Sequence, residues 1–247
     1  MSAGRARFTG MENIVTVPEE ALRLLVERGF DATSVDQLAA VLGISRSTFF
    51  RRYLSKEDMV FADMETVIAG VHRELAAPGR RLADRLAAAA LWVFDHHTSR
   101  PQASLLRFEL LQEVPALRDR ELVSTHRYER AFRHGLRAAL DVEPGLDDVN
   151  LAITSYAASV VAVHNAFLRS WLNTCDDGLR AGLVSELAKL AALHVPRLQE
   201  QAPETQQGSP SPGVVVTVSS SGTGTEEIIE AVRRALDQPS GHPPSTL

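Results

Sequence analysis

A single cysteine, Cys175, among 247 residues excludes an internal disulfide framework and a cysteine-rich metal site. No stretch approaches the roughly 20 consecutive apolar residues of a membrane helix. The first residues lack the apolar core of a secretory signal. The expected compartment is therefore the cytoplasm, with no membrane partner. Strand signals are missing from 59–200, and no internal repeat is visible. Ser, Cys and His residues form no nucleophile motif, and no glycine-rich phosphate loop interrupts the helical pattern. Adjacent His96 and His97 point about 100° apart on a helix and share a metal poorly. Neither enzyme activity, a cofactor nor a metal is expected. What remains is a chain 45% hydrophobic and 23% charged, with a formal net charge of −5. That is enough material for one larger domain or two small ones.

The most informative stretch is 34–54, SVDQLAAVLGISRSTFFRRYL. Ser34 is a good N-cap, and Leu38, Val41 and Leu42 follow as one apolar stripe at helical spacing. Gly43 can end that helix in the left-handed conformation. Ile44 fills the corner, Ser45 caps the next helix, and Phe49 and Tyr53, four apart, face the same small core. Arg46, Ser47, Phe50, Arg51 and Arg52 are left outside. The pattern predicts a helix-turn-helix at 34–53, whose second helix suits the major groove of DNA. Charge agrees: between Gly43 and Lys56 there are four cations, Arg46, Arg51, Arg52 and Lys56, and no acid. A basic stripe on an acidic chain marks a confined phosphate-binding surface.

These residues resemble the DNA-binding half of TetR-family transcriptional regulators over about 14–62. The resemblance rests on Glu27-Arg28-Gly29-Phe30, Thr33-Ser34-Val35, Gly43-Ile44-Ser45, Thr48-Phe49-Phe50-Arg51 and Ser55-Lys56-Glu57-Asp58. Three positions depart from the family pattern. Phe50 stands where a Tyr is usual, Leu54 where a Pro is usual, and Arg52 where an aromatic or His is usual. Arg52 is a candidate to replace the phosphate contact of the missing phenol. The resemblance implies an all-α protein that binds a double-stranded DNA operator as a homodimer and answers a small-molecule effector, most simply as a repressor. The alternative is a helix-turn-helix regulator that works constitutively or through a protein partner. Ser34, Ser45, Arg46, Ser47, Thr48, Phe50, Arg51, Arg52 and Lys56 are the expected DNA-contacting residues.

Around this head, Thr16-Val17-Pro18-Glu19 reads as a capping box for a first helix ending at Arg28, with Ala21, Leu22, Leu25 and Val26 inward. Residues 1–13, with Arg5 and Arg7, read as a tail or as an arm for backbone or minor groove. A continuous helix is expected over 56–76, with Lys56 near phosphate in its first turn. Further helices are expected near 81–99, 101–112, 117–140, 147–174 and 177–196, making 63–198 an effector-binding and dimerisation domain. The segment 151–171 is apolar nearly all round, from Leu151 and Ile153 to Phe167 and Trp171, so it must be buried on every side. With the flat stripe Ala181, Val184 and Ala188 it is the expected dimer surface, and Val161 and Val184 are expected to face the partner. Trp92, Phe108, Tyr128, Phe132, Tyr156 and His164 combine apolar bodies with a few polar tips, suiting a small hydrophobic or amphipathic ligand. Each also has an ordinary reading as core.

Composition shifts near the end. Gln199 to Gly213 holds three Pro, four Gln and two Gly, a linker signature. In 214–247, Val214–Val218 reads as a strand, Ser219–Thr225 as a loop and Glu226–Leu236 as a helix. One strand and one helix bury too little surface to stand alone.

Overall fold

The computed structural model describes residues 17–201. Ten helices and no strand occupy them: α1 (Glu19–Arg28), α2 (Val35–Val41), α3 (Arg46–Tyr53), α4 (Lys56–Val60), α5 (Met64–Ala76), α6 (Leu82–Thr98), α7 (Pro101–Glu113), α8 (Pro115–Leu140), α9 (Asp148–Thr174) and α10 (Leu179–Gln201). The described residues are all-α, as their periodicity predicts. Thr16, the arm at 1–13, most of the linker and the extension at 214–247 lie outside the described residues.

Local chemistry sets the boundaries of the head. Ser34 caps α2 in a full capping box: its Oγ accepts from the Gln37 N–H, and Gln37 Oε1 accepts from the Ser34 N–H. Gly43 takes φ +65° at the turn, where a Cβ would be penalised. Ser45 caps α3 and Ser55 caps α4. Phe49 and Tyr53 are buried together as expected, with ring centroids 5.1 Å apart.

Several expectations are corrected. The first helix begins at Glu19 with Pro18 as its N-cap and no side-chain cap. Val41 is 44% exposed and outside the core, because α2 ends there and turns its last residue away. Pro101 and Pro115 sit in the first turns of α7 and α8, where a missing N–H costs nothing. The last helix passes through Pro196 and runs to Gln201, past the expected start of the linker.

The largest correction falls on 56–76, which is not one helix. It breaks at residues 61–63, where Phe61 ends α4 and Asp63 precedes α5. Asp63 is an N-cap whose carboxylate does not cap. It is 4% exposed and drawn inward by partners from α6 and α7.

Two apolar cores result. Val67, Val71, Leu86, Phe94, Leu136, Ile153, Val160 and Leu183 belong to the body core of α5, α6 and α8–α10. The head core joins Leu22, Leu25, Leu38, Phe49 and Met59 to Ala103, Leu110 and Leu111 of α7 and Leu117 of α8. By length and composition α9 is apolar enough to cross a membrane, contrary to the sequence reading. Here it packs between α8 and α10 with Ile153, Tyr156, Val160, His164 and Trp171 buried. Val161, expected at a partner, is 6% exposed inside the body core, whereas Val184 is 41% exposed.

Candidate nucleic-acid interface and body cavity

The second helix of the helix-turn-helix, α3, presents its polar side outward. Arg46, Ser47, Phe50, Arg51 and Arg52 are exposed, and Thr48 is half-buried. Arg46 does not stand free: Nη1 donates to Asp36 Oδ2 at 2.8 Å, and its guanidinium lies 5.3 Å from the centre of the Phe50 ring. Arg52 lies over Tyr53 at 5.6 Å. Ser34 and Ser45 use their hydroxyl oxygens as helix caps; Ser45 Oγ accepts from the Thr48 N–H at 3.1 Å. Leu54, in place of the usual Pro, takes φ +64°, which a proline ring forbids.

Lys56 departs furthest from expectation. Its Nζ donates to the Phe30 and Thr33 carbonyls at 2.7 and 3.1 Å and lies 4.6 Å from the Phe30 ring centre. Those bonds tie α4 to the turn after α1, so the ammonium is a staple within the head.

Behind the head, at the break between α4 and α5, lies a buried polar cluster. Arg107 Nη1 and Nη2 donate to Asp63 Oδ1 and Oδ2 at 2.9 and 3.1 Å. His96 Nε2 lies 2.9 Å from Asp63 Oδ2, and Arg107 Nη2 donates to His97 Nδ1 at 3.3 Å. Burial raises the Asp63 pKa, but the Arg107 charge and the His96 hydrogen bond outweigh it and hold the carboxyl well below its ordinary range. Burial and the neighbouring Arg107 push His97 down. Two further arginines, Arg120 and Arg127 of α8, grip Asp58 of α4 and Glu65 of α5. Cations of α7 and α8 thus hold acids on both sides of the break.

A cavity of about 230 Å³ opens beside this cluster. Of the expected lining residues, Phe108, Tyr128 and His164 are brought together on its wall. Trp92, Phe132 and Tyr156 are not. Trp92 packs over Gly70. Phe132 is 2% exposed in the body core. Tyr156 stacks on His194 with ring centroids 4.9 Å apart, and burial pushes its phenol up to about 12. Met64 lines the cavity, as its place on the 56–76 segment leads one to expect, whereas sequence reasoning missed Phe61, His97, Ser104 and Arg107, which line it too. Arg107 and His97 looked like ordinary solvated groups on helices. Only the break at 61–63, hidden in a continuous apolar pattern, turns Asp63 toward them. Burial raises the Tyr128 phenol above its usual pKa, and the Asp63 charge adds to it. Burial pushes His164 down to about 4, against a hydrogen bond to Asn165.

Residues 19–62 match the family described as bacterial regulatory proteins, tetR family. Over 66 residues the chain is 39% identical to MftR of Mycobacterium tuberculosis, whose name makes it a mycofactocin biosynthesis transcriptional regulator. That match spans 27% of this chain and about a third of the length of MftR, 32%. The fold is also similar to the crystal structure of PfmR, a TetR family transcriptional regulator from Thermus thermophilus. That likeness covers 70% of this chain and 94% of PfmR, with 18% identity and a TM-score of 0.44.

Proposed function

From a chain that belongs to the tetR family through its DNA-binding head at 19–62, we propose a ligand-responsive repressor that binds a palindromic operator as a homodimer in the cytoplasm. It is a binding protein and not an enzyme. The observation that carries the ligand response is the double role of Arg107. It lines the body cavity, and with both Nη atoms it grips Asp63 at the break joining head to body. A ligand that reorients Arg107 or His97 changes the hold on Asp63, and so the seating of α4 and the recognition helix. It lowers DNA affinity to the extent that it prefers the displaced head. Two heads must meet half-sites roughly 34–36 Å apart, so small displacements suffice.

The two-fold partner fits the outer face of α10. Ala181, Val184 and Ala188 are exposed there in the single chain. Small residues allow close approach of a second copy, and a two-half-site operator calls for that symmetry.

Selection of bound DNA from random sequence, followed by anisotropy titrations against a panel of small amphipathic molecules, tests this reading. A palindromic consensus and at least one molecule that releases it are expected. A consensus that no molecule releases, or a non-palindromic one bound by a monomer, overturns the corresponding part.

A further inference from the structure

One residue of the cavity lining, His164, holds a buried hydrogen-bond acceptor with no partner among the described residues. His164 of α9 is 6% exposed and lines the cavity. Its Nδ1 stands 3.1 Å from Asn165 Oδ1. An amide oxygen only accepts, so Nδ1 carries the ring hydrogen and donates it. The ring is neutral, since burial disfavours its charged form. Nε2 is then a bare lone pair, buried without a partner among the described residues. Buried polar atoms are seldom left so, and an orphan in a residue that lines a cavity points to a donor on what the cavity takes.

His97 has the complementary arrangement. Arg107 can only donate, so His97 Nδ1 accepts from it and Nε2 carries the hydrogen. The two lining histidines therefore carry one neutral acceptor and one neutral donor. The buried cation of the lining, Arg107, is already matched by both oxygens of Asp63. Glu121 and Arg169, the other charged residues of the lining, are exposed and of opposite sign. An entering carboxylate would have to strip Asp63 of its partner, and an entering ammonium would find only an exposed carboxylate. Either charge is costly to bury without its own counter-charge.

We propose that the cavity takes a compact, uncharged apolar molecule bearing a hydroxyl, which donates to His164 Nε2 while the apolar skeleton lies against Phe61, Met64, Phe108 and Leu168. The proposal rests on the reading of this cavity as the effector site and narrows it to a neutral alcohol or phenol. Neutrality sets no competing charge against the Asp63–Arg107 pair on entry, so the ligand shifts Arg107 and His97, and with them the hold on Asp63, by repacking around them.

Three probes sharing one skeleton test it on the full-length protein: 2-naphthol, 2-methoxynaphthalene and 2-naphthoate. Binding is followed by calorimetry and release of selected DNA by anisotropy. Naphthol should bind at least about ten-fold more tightly than either analogue, a difference of about 1.4 kcal/mol. His164→Phe should bring naphthol and methoxynaphthalene level, whereas His164→Gln, which restores an acceptor, should keep the preference. If His164→Phe fails to fold, the wild-type ranking and the Gln variant decide. Equal or tighter binding of naphthoate or methoxynaphthalene, binding of none of the three, or a preference unchanged in His164→Phe overturns the hydroxyl assignment. Release of DNA by a disfavoured analogue would keep the effector reading while removing the hydroxyl. The expected ranking without any release would do the reverse.

Discussion

Arg107 holds Asp63 across 44 residues of sequence, with each Nη on a different carboxylate oxygen. Both side chains are buried, so the pair is easier to break than to dispense with. Arg107→Ala or Asp63→Ala leaves one buried charge alone and should cost about 3–5 kcal/mol of stability. The apolar double replacement Asp63→Leu with Arg107→Met should recover most of that in urea melts, while losing ligand-triggered release of DNA. A double variant as unstable as either single would show that the site needs the charges themselves.

Acid should weaken the fold before the Asp63 carboxylate titrates. His164 has an ordinary pKa of 6.5 that burial lowers to about 4. A neutral ring is favoured in the folded state, so its contribution is complete above pH 6.5 and is lost as pH falls toward 4. The loss is on the order of 3 kcal/mol. His97, also lowered by burial, adds in the same direction. Asp63 acts only below its unfolded value of 3.8. Denaturant melts across this window should show the decline, with a shallower slope in His164→Phe. A wild type equally stable across the window would contradict the buried neutral ring.

Lys56 separates folding from DNA contact. Removing a charged donor from the Phe30 and Thr33 carbonyls should cost about 1.5–3 kcal/mol in Lys56→Ala. The salt dependence of DNA binding should stay as in wild type. Arg51→Ala, on the exposed face of α3, should instead lower the salt slope by about one. A reduced slope in Lys56→Ala, with an unchanged melting temperature, would return Lys56 to the phosphate contacts.

Asp36 restrains the recognition helix. The exposed pair with Arg46 adds only about 0.2–1 kcal/mol to folding, so Asp36→Asn should melt almost like wild type. It frees Arg46 and removes an anion, and affinity for random DNA should rise more than affinity for the operator. Arg46→Ala should cost about 1–3 kcal/mol on the operator and relax one position per half-site. Equal losses on operator and random DNA would remove its base-reading role.

Assembly is testable at two valines. Val184→Glu, on the exposed face of α10, should leave the monomer folded and push sedimentation toward the monomer. Val161→Glu, in the body core, should unfold the chain. A wild type that is monomeric at micromolar concentration would end the two-fold model.

Periodicity and capping made the helices legible, because Ser34, Gly43 and Ser45 act locally and tertiary context does not override them. The exposed cationic face of α3 was legible for the same reason: Arg46, Arg51 and Arg52 share a short helix with two buried aromatics. The cavity was only half legible. Phe108, Tyr128 and His164 reach it, but Tyr156 and Trp92 carry the same amphipathic chemistry and are spent on packing against His194 and Gly70. The break at 61–63 was illegible, since Phe61 and Met64 continue an apolar pattern that a straight helix would also satisfy. What breaks it is Arg107, far along the chain, and no local window contains that pair.

Leu110, Leu111 and Leu117 complete the head core from outside the matched segment. The DNA-reading unit is therefore not an interchangeable cartridge. A chimera that exchanges residues 19–62 with those of a relative must inherit a matching apolar face on α7, or its new head will sit on a misfitting seat. A substitution at these leucines alters the surface on which the head is seated, although they lie outside the segment that carries α3.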